Sequence, residues 1–502
     1  MKLSTFKRLS ILLLVIFVGC AKTEKKETAK KPNILILMTD NHFSDHVGAY
    51  GDQVIKTPNI DKVAKDGILF NNAFCASPSC SPARASMLTG QDVWRLGEGA
   101  NLWGGFPQEP VYTKLMSENG YHVGIEGKGW GPGNAEPNGW EINPGGERYD
   151  SFEEFYNEID KGKPWMYWYS SRDPHRPFRR DGWKSADIDL SAIVVPSYLP
   201  DTEEVRKDIA DYYNEIQMFD NEVASYMALI GEMGQLENTI IIICSDNGWQ
   251  MPRGLANLYD AGTKIPLIIS WPDHYKGNRT IDDFVSLNDF APTFLELAGI
   301  EIPKEMTAKS LLPILTSEDS GTIDKERDFF VMGRERHAFV RQNGLGYPGR
   351  ALRTKDYLYI KNYEADRWPA GEPPLYGDVD AHMLQYPAPT KFYLLEHQDE
   401  SAIKPFYDLS FGKRPAIELY DLNKDPDQIN NVAGTPEYAD VENQLGKQMV
   451  DYLVATGDPR ETGTPFDWDG AKYYMEGDKR PRPGRQAIET LGLKEEYNYL
   501  GE

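Results

Sequence analysis

The sequence predicts an α/β protein with a large, mostly parallel sheet flanked by helices and a smaller α+β subdomain at the C-terminus. Short apolar runs that end in polar loops alternate with segments of helical periodicity, which is the pattern of a buried parallel sheet. After about residue 345 the pattern changes to short strands that alternate in polarity. The 502 residues, 40% of them hydrophobic, suffice for a large core.

Four apolar runs are the predicted strands of the main sheet, and two periodic segments are the predicted helices. The strands are Asn33–Met38, Trp165–Tyr169, Thr239–Cys244 and Ile265–Ile269, and the helices are Ile60–Asp66 and Val205–Met233. In the C-terminal part, Arg353–Tyr363 and Ile417–Leu422 are predicted strands, Tyr438–Leu453 is a predicted helix, and the tail looks irregular. We expect one domain over residues 32–345 and a subdomain over residues 346–502.

Residues 1–20 have the features of a bacterial lipoprotein signal. A basic start precedes the short apolar run Ile11–Val18, and Gly19 stands before Cys20. The apolar run is too short to span a bilayer. We expect export and lipid attachment at Cys20, which would anchor the protein to a bacterial membrane, at the cell surface or in the periplasm. The alternative is a plain signal peptide, and residues 21–31 read as a flexible tether.

The charge balance and the cysteine count exclude several classes of protein. The chain has 54 Lys and Arg against 77 Asp and Glu, a net charge of −23, whereas a general nucleic-acid binder needs a basic face. Four cysteines in a chain of this length are not a disulfide framework. Cys75 and Cys80 are too widely spaced for a redox motif, and no histidine and cysteine cluster indicates zinc.

Two Asp-Asn pairs follow predicted strands. Asp40 and Asn41 come after the first strand, and Asp246 and Asn247 come after the run at 239–244. Ligands of parallel sheets bind at the carboxyl ends of the strands, so the pairs are expected to converge. Carboxylate and amide oxygens suit a hard cation, Ca²⁺ or Mg²⁺. A single such pair is common in turns, but two pairs at strand ends favour a metal site.

The most specific motif lies in residues 79–90, SCSPARASMLTG. CSPAR followed by SMLTG resembles the signature of the formylglycine-dependent sulfatases, which belong to the alkaline phosphatase superfamily. The resemblance extends over residues 32–460 through TPNIDKVAKDGILFNNAF, CSDNG, NLYDAGTKIPLIISWP and ELYDLNKDPDQINNVA. GLANLYDAGT and DPHRPF are most similar to the heparan N-sulfatase type and related polysaccharide sulfatases. This resemblance implies that the protein is a sulfuric ester hydrolase with an alkaline-phosphatase-like fold.

The resemblance also implies roles for single residues. Cys80 would be oxidised to formylglycine by a maturation enzyme, and the hydrated aldehyde would attack sulfur. Arg84 and Lys128 match the residues that hold the formylglycine or the sulfate, and His175 matches the histidine that protonates the leaving group. The implied ligands of the cation, Ca²⁺ in preference to Mg²⁺, are Asp40, Asn41, Cys80, Asp246 and Asn247.

Three positions depart from the pattern of that family. Asn41 stands where members usually have a second aspartate, which removes one negative charge from the metal site. Trp130 stands where many members have a histidine that is thought to act as a base. Leu255 stands where a basic residue usually lies.

Nearby residues are candidates to replace the two missing groups. His42 and His46 follow the first strand and could supply the base that is missing at Trp130. Arg253, Arg172 or Arg176 could supply the positive side-chain charge that is missing at Leu255. These are hypotheses from sequence position alone.

The expected substrate is a sulfated polysaccharide or its oligosaccharides. The candidate substrate-binding residues are Arg172, Arg176, Arg253, Arg350 and Trp130. Arg350 is preferred because a guanidinium binds carboxylate and sulfate in a bidentate manner. A phosphonate monoester or phosphodiester hydrolase of the same superfamily and an inactive surface glycan-binding protein are the alternatives. The oligomeric state stays open.

Overall fold

The computed structural model describes residues 31–272, 274–379, 388–464 and 466–475. The predicted lipoprotein signal, most of the predicted tether and the tail from residue 476 lie outside the described residues. No helix within the described ranges is both long enough and apolar enough to cross a bilayer.

Eight strands form the main sheet. They are β1 (Asn33–Thr39), β2 (Ile68–Phe74), β3 (His122–Gly127), β4 (Glu147–Arg148), β5 (Trp165–Ser170), β6 (Thr239–Ser245), β7 (Leu267–Ser270) and β8 (Arg279–Ser286). Their order is β4-β3-β5-β1-β6-β7-β2-β8, and only β7 runs antiparallel to its neighbours. The predicted mostly parallel sheet is confirmed. The sequence missed β2, β3, β4 and β8, whose polar and glycine residues interrupt the apolar run that marked the other strands.

Thirteen α-helices lie within the described residues, besides short 3-10 helices. They are α1 (Pro58–Asp66), α2 (Cys80–Thr89), α3 (Tyr112–Glu118), α4 (Phe152–Glu158), α5 (Gly182–Ser185), α6 (Glu203–Glu232), α7 (Asp260–Thr263), α8 (Phe290–Ala298), α9 (Leu312–Thr316), α10 (Pro389–Glu396), α11 (Lys404–Phe411), α12 (Ala439–Ala455) and α13 (Pro459–Thr462). The three predicted helices correspond to α1, α6 and α12. The Thr202 side chain caps α6 by accepting a hydrogen bond from the backbone of Val205.

The main sheet is buried on both faces. Along β1, Ile34, Ile36 and Met38 pack into one hydrophobic cluster, whereas the alternate residues Leu35 and Leu37 pack into another on the opposite face. Successive side chains of a strand point to opposite faces, so a strand covered on both sides is apolar throughout. This explains why the apolar runs predicted the central strands.

A second, four-stranded antiparallel sheet forms the smaller subdomain. Its strands are β9 (Phe329–Arg334), β10 (Gly349–Thr354), β11 (Tyr357–Asn362) and β12 (Ile417–Asp421), in the order β12-β11-β10-β9. The single strand predicted over Arg353–Tyr363 is wrong, because a tight turn divides it between β10 and β11. The Thr354 hydroxyl accepts a hydrogen bond from the Tyr357 backbone and closes that turn. The first strand, β9, also lies before the predicted boundary at residue 345.

Candidate active site

Four neighbouring parallel strands place the candidate residues at one edge of the main sheet. Lys128 follows β3, residues 171–176 follow β5, Asp40 follows β1 and Asp246 follows β6. Cys80 is the first residue of α2. The strand order β3-β5-β1-β6 brings these loops together, as expected for a ligand site at the carboxyl ends of parallel strands.

Cys80 lies among the two Asp-Asn pairs. Its Sγ is 3.5 Å from Oδ1 of Asp40, 3.9 Å from Oδ1 of Asn41 and 3.7 Å from Nδ2 of Asn247. The Asn41 backbone donates a hydrogen bond of 3.1 Å to Oδ1 of Asp246, which joins the two loops. The structure therefore places the five predicted metal ligands side by side.

The chemistry of this donor set fits a hard divalent cation. One ligand atom each from Asp40, Cys80 and Asp246 lie within 4.8 Å of one another, and all three residues are buried. Oδ1 of Asn247 is also buried and has no hydrogen-bond partner among the described residues. Two carboxylates and amide oxygens in one buried cluster are the ligands that Ca²⁺ and Mg²⁺ prefer.

Arg84 is fixed by hydrogen bonds on one side and reaches the cluster on the other. Nε donates to Oδ2 of Asp246 at 2.7 Å, and Nη1 donates to the Gly129 carbonyl and the Ser170 hydroxyl at 2.6 Å each. Its Nη2 has no hydrogen-bond partner among the described residues and lies 3.8 Å from Oδ2 of Asp40. A bound anion could occupy that donor. Sequence reasoning missed the supporting roles of Ser170 and Gly129, which no motif marks.

Lys128 forms the tightest contact of the site. Its Nζ is 2.5 Å from Oδ2 of Asp40 and 3.9 Å from Oδ2 of Asp246. The Lys128 side chain is 17% exposed to solvent. Burial alone would raise the pKa of Asp40, but the neighbouring Lys128 ammonium, His175 and the Arg84 guanidinium together hold it well below its usual value. Asp40 is therefore an ionised carboxylate.

The Cys80 thiol is a poor nucleophile as it stands. Burial, followed by the charge of Asp40, raises its pKa far above that of an exposed cysteine. The neutral thiol is much less reactive than a thiolate. Unmodified Cys80 is consequently unsuited to attack a substrate at neutral pH.

His175 lies on the loop after β5 and is half-buried. Its Nδ1 is 2.6 Å from the backbone carbonyl of Arg176. A carbonyl only accepts hydrogen bonds, so Nδ1 carries a proton and Nε2 is the nitrogen suited to exchange one with a substrate.

Three of the predicted substrate arginines are committed to partners inside the protein. Arg176 is 3% exposed and forms a bidentate pair with Asp208, with both distances 2.8 Å. Arg350 is fully buried and bonds to Asp458 at 2.7 Å and Glu335 at 2.8 Å. The structure therefore does not leave Arg176 and Arg350 where a substrate reaches them.

Arg253, the third, donates to the carbonyls of Leu409 and Gln428 and lies 3.9 Å above the ring of Tyr259. Arg253 is 3% exposed, so its position does not support the prediction that it replaces the basic side chain missing at Leu255. Such contacts stabilise the packing of the loop after β6 against the C-terminal part of the chain.

Trp130 does not offer a face to a sugar. It is 5% exposed, its Nε1 donates to the Ser81 carbonyl at 3.2 Å, and its ring packs edge-on against Phe106 at 4.9 Å. The indole instead packs beneath the first turn of α2. The prediction that Trp130 contacts the substrate is therefore wrong, and its role is to pack inside the protein.

His42 and His46 are also engaged elsewhere. Burial lowers the pKa of His42 to about 3, and its ring contacts the Thr39 hydroxyl and the His46 carbonyl. Burial lowers the pKa of His46 to about 4, and its ring packs against Trp249 and other aromatic side chains. None of these contacts reaches Cys80, so the structure does not support either as the missing base.

Arg172 remains as an exposed candidate. It lines an open groove of about 450 Å³ together with Gly127, Ser170 and Ser171, beside the loop that carries Lys128. Its guanidinium is available to an anionic group of a ligand that enters from this side.

Comparisons with known families agree with this geometry. A family model described as Sulfatase matches residues 32–300, more than half of the chain. A second, described as N-sulphoglucosamine sulphohydrolase, C-terminal, matches residues 252–369.

Two curated relatives match over most of their length. An ulvan-active sulfatase of Formosa agariphila is 28% identical over 88% of this chain and 86% of the relative. The N-sulphoglucosamine sulphohydrolase of Homo sapiens is 28% identical over 86% of this chain and 91% of the relative.

Solved structures share the fold. A protein whose structure was solved in complex with its substrate D-glucosamine-2-N,6-O-disulfate superposes with a TM-score of 0.63 at 19% identity, covering 88% of this chain and 100% of that one. The phosphonate monoester hydrolase of Agrobacterium radiobacter gives 0.60 at 18% identity, covering 85% and 96%. From the match over residues 32–300 and the relatives named above, the chain belongs to the sulfatase family, is a sulfuric ester hydrolase and is of the heparan N-sulfatase-like type.

Proposed function

We propose that this enzyme removes sulfate from a sulfated polysaccharide or its oligosaccharides, with Cys80 converted to formylglycine and a Ca²⁺ ion bound beside it. The observation that carries the proposal is the position of Cys80, which contacts Asp40, Asn41 and Asn247 although its own thiol is a poor nucleophile. A maturation enzyme would be the partner that modifies it. The relatives named for ulvan and for N-sulphoglucosamine support a sulfated carbohydrate as the substrate class.

The cation and the modified residue would supply the chemistry that the unmodified chain lacks. Asp40, Asn41, Asp246 and Asn247 would hold the cation through oxygen atoms, together with residue 80. When present, hydrated formylglycine offers a hydroxyl nucleophile and the cation polarises that hydroxyl and the sulfate oxygens.

The chain's own residues bind and orient the sulfate group. Nη2 of Arg84 and Nζ of Lys128 both point toward the carboxylates around Cys80, so they are suited to donate hydrogen bonds to the sulfate oxygens as the ligand enters. Asp246 holds the Arg84 side chain through Nε and Asp40 holds Lys128 through Nζ, so both side chains need little reorganisation when charge develops on the sulfate. This preorganisation is the main contribution we assign to them.

His175 would act on the departing group. With its Nδ1 proton committed to the Arg176 carbonyl, a protonated Nε2 can donate its proton to the bridging oxygen or nitrogen of the substrate. A sulfate ester and a sulfamate are both compatible with this step. The groove beside Arg172 would receive an anionic group of the neighbouring sugar.

We also propose that the protein is exported and lipid-anchored through Cys20. The basic start, the short apolar run and the Gly19-Cys20 junction support this. Metabolic labelling with a fatty acid should mark the wild-type protein and leave Cys20→Ser unlabelled. Equal labelling of the two would contradict the anchor.

The test of the proposed function compares matched substrates. Mass spectrometry first verifies that residue 80 of the purified protein is formylglycine. The protein is then assayed on an aryl sulfate, an aryl phosphonate monoester and an aryl phosphodiester, with Cys80→Ala as the control. We expect sulfate release to dominate, to disappear in the control and to fall on chelation with recovery on adding Ca²⁺. Dominant phosphorus–oxygen cleavage would favour the phosphonate or phosphodiester alternative. Glycan binding without turnover would favour the inactive binding protein.

A further inference from the structure

The hydroxyl of Ser79 is not used in the way that its position predicts. Ser79 is the N-cap of α2, where serine normally accepts a hydrogen bond from the backbone of the second or third helical residue. No such capping bond is present. The third helical residue is Pro82, which has no N–H, so one of the two usual donors is missing. The Ser79 hydroxyl is therefore not engaged by the backbone of its own helix and has its partner elsewhere.

That partner is His337. Oγ of Ser79 is 2.8 Å from Nδ1 of His337, and the two residues are 258 positions apart in the chain. Ser79 is 2% exposed and so is His337. His337 follows β9, so the contact joins the second sheet to the residue immediately before Cys80.

The loop that carries His337 is itself fixed on both sides. The Arg336 backbone donates to Oδ1 of Asn101 at 2.9 Å, and the Ala338 backbone donates to Oδ1 of Asp378 at 3.0 Å. Asp378 is 1% exposed and is paired with Arg341 at 2.6 Å. The backbone on both sides of His337 is consequently fixed, so the imidazole has a defined position from which to hold the Ser79 hydroxyl.

We propose that His337 is a positioning residue for residue 80. By holding the Ser79 hydroxyl it fixes the backbone that enters α2 and so the direction in which residue 80 faces Asp40 and Lys128. This rests on the proposed function, in which residue 80 carries the nucleophile. Displacing a nucleophile by about 1 Å can reduce turnover about 100-fold, so a single buried hydrogen bond at this point affects rate more than binding.

Two variants of His337 separate the hydrogen bond from the volume of the ring. His337→Asn places an amide where Nδ1 lies, and His337→Gln places one where Nε2 lies. His397→Gln, at a partly exposed position on the surface, is the matched control. Each protein is assayed for kcat and KM, with rates divided by the formylglycine fraction from mass spectrometry and thermal unfolding recorded in parallel.

We expect His337→Gln to lower kcat at least about tenfold with KM within about twofold, and His337→Asn to keep at least about a third of the wild-type kcat. Equal kcat in the two variants, or losses that follow only the unfolding temperature, would overturn the proposal. If formylglycine-bearing wild-type protein releases no sulfate, the proposed function fails, and labelling of the aldehyde by an aminooxy probe decides the positioning separately. In this labelling assay, the positioning role of His337 is supported if the rate for His337→Gln differs at least about threefold from the rates for wild type and His337→Asn. Equal rates in all three proteins would overturn that role.

Discussion

Lys128 donates a hydrogen bond to Asp40 across the carboxyl edge of the main sheet, with 2.5 Å between Nζ and Oδ2. Lys128 follows β3 and Asp40 follows β1, and the two strands are separated by β5 in the sheet. The contact sets the charge of the site, because Lys128 contributes to the low pKa of Asp40 and Asp40 in turn raises the pKa of Lys128 against the effect of burial.

Replacing Lys128 tests whether this charge acts on the sulfate. Lys128→Met keeps most of the side-chain volume and removes the ammonium, so we expect kcat/KM for a sulfate ester to fall about 100-fold or more. Steady-state kinetics normalised to formylglycine content gives the measurement. The exposed Lys114→Met is the control and should match wild type. A loss of less than about threefold would show that Lys128 does not stabilise the reacting sulfate.

Arg172 is expected to bind the substrate outside the reacting centre. Arg172→Ala should raise KM about fivefold, equivalent to roughly 1 kcal/mol, and should leave kcat nearly unchanged because no bond at the sulfur involves it. The effect should shrink as salt is added, because the side chain is exposed. Arg180→Ala, on the same loop and also exposed, is the comparison. Equal KM values for the two variants would remove Arg172 from the substrate site.

Arg350 should matter for stability rather than for binding. Arg350→Met leaves the buried carboxylates of Asp458 and Glu335 with less compensation, so we expect a loss of about 3 kcal/mol in the free energy of unfolding. Chemical denaturation gives the measurement, and Lys447→Met, which breaks an exposed pair with Asp451, should change it by less than about 0.5 kcal/mol. A stable Arg350→Met variant with a raised KM would restore the substrate role predicted from the sequence.

Asp92 gives the fold a pH-dependent weakness. Burial raises the pKa of Asp92 to about 6, and its Oδ2 has no hydrogen-bond partner among the described residues. Between about pH 4 and pH 6 the folded state therefore binds a proton that the unfolded state has lost, so the stability contribution falls as pH rises through this window.

Asp92→Asn mimics the protonated form and should be more stable than wild type by about 2 to 3 kcal/mol at pH 7.5. The difference should vanish below about pH 4. Denaturation curves at both pH values provide the check, with the exposed Asp187→Asn as the reference. A difference that stays constant with pH would mean that Asp92 does not titrate as its surroundings indicate.

Local patterns were enough to predict that the two Asp-Asn pairs meet at one edge of the sheet. The Asp-Asn pairs at 40–41 and 246–247 follow strands that are apolar on both faces, and such strands can be recognised from consecutive residues alone. Once two such strands are neighbours in a parallel sheet, their following residues must meet. The motif around Cys80 is similarly contained in one short segment.

Long-range pairing could not be predicted in the same way. Arg350 was predicted to bind substrate because its guanidinium suits a carboxylate or a sulfate. The structure pairs it instead with Asp458, which is 108 residues away in the sequence. The contact between Ser79 and His337 spans 258 residues. Whether a charged side chain is exposed or paired depends on the tertiary packing, which a single sequence does not encode locally.

The most direct test of the account measures sulfate release against the fraction of Cys80 converted to formylglycine. Protein produced with and without a maturation enzyme provides a range of conversion, read by mass spectrometry, and a panel of sulfated glucosamine and ulvan oligosaccharides provides the substrates. We predict that the rate on the preferred substrate rises in proportion to the converted fraction and is absent when Cys80 is a thiol. Turnover by the unconverted protein, or no sulfate release from any of these sugars by fully converted protein, would contradict the account.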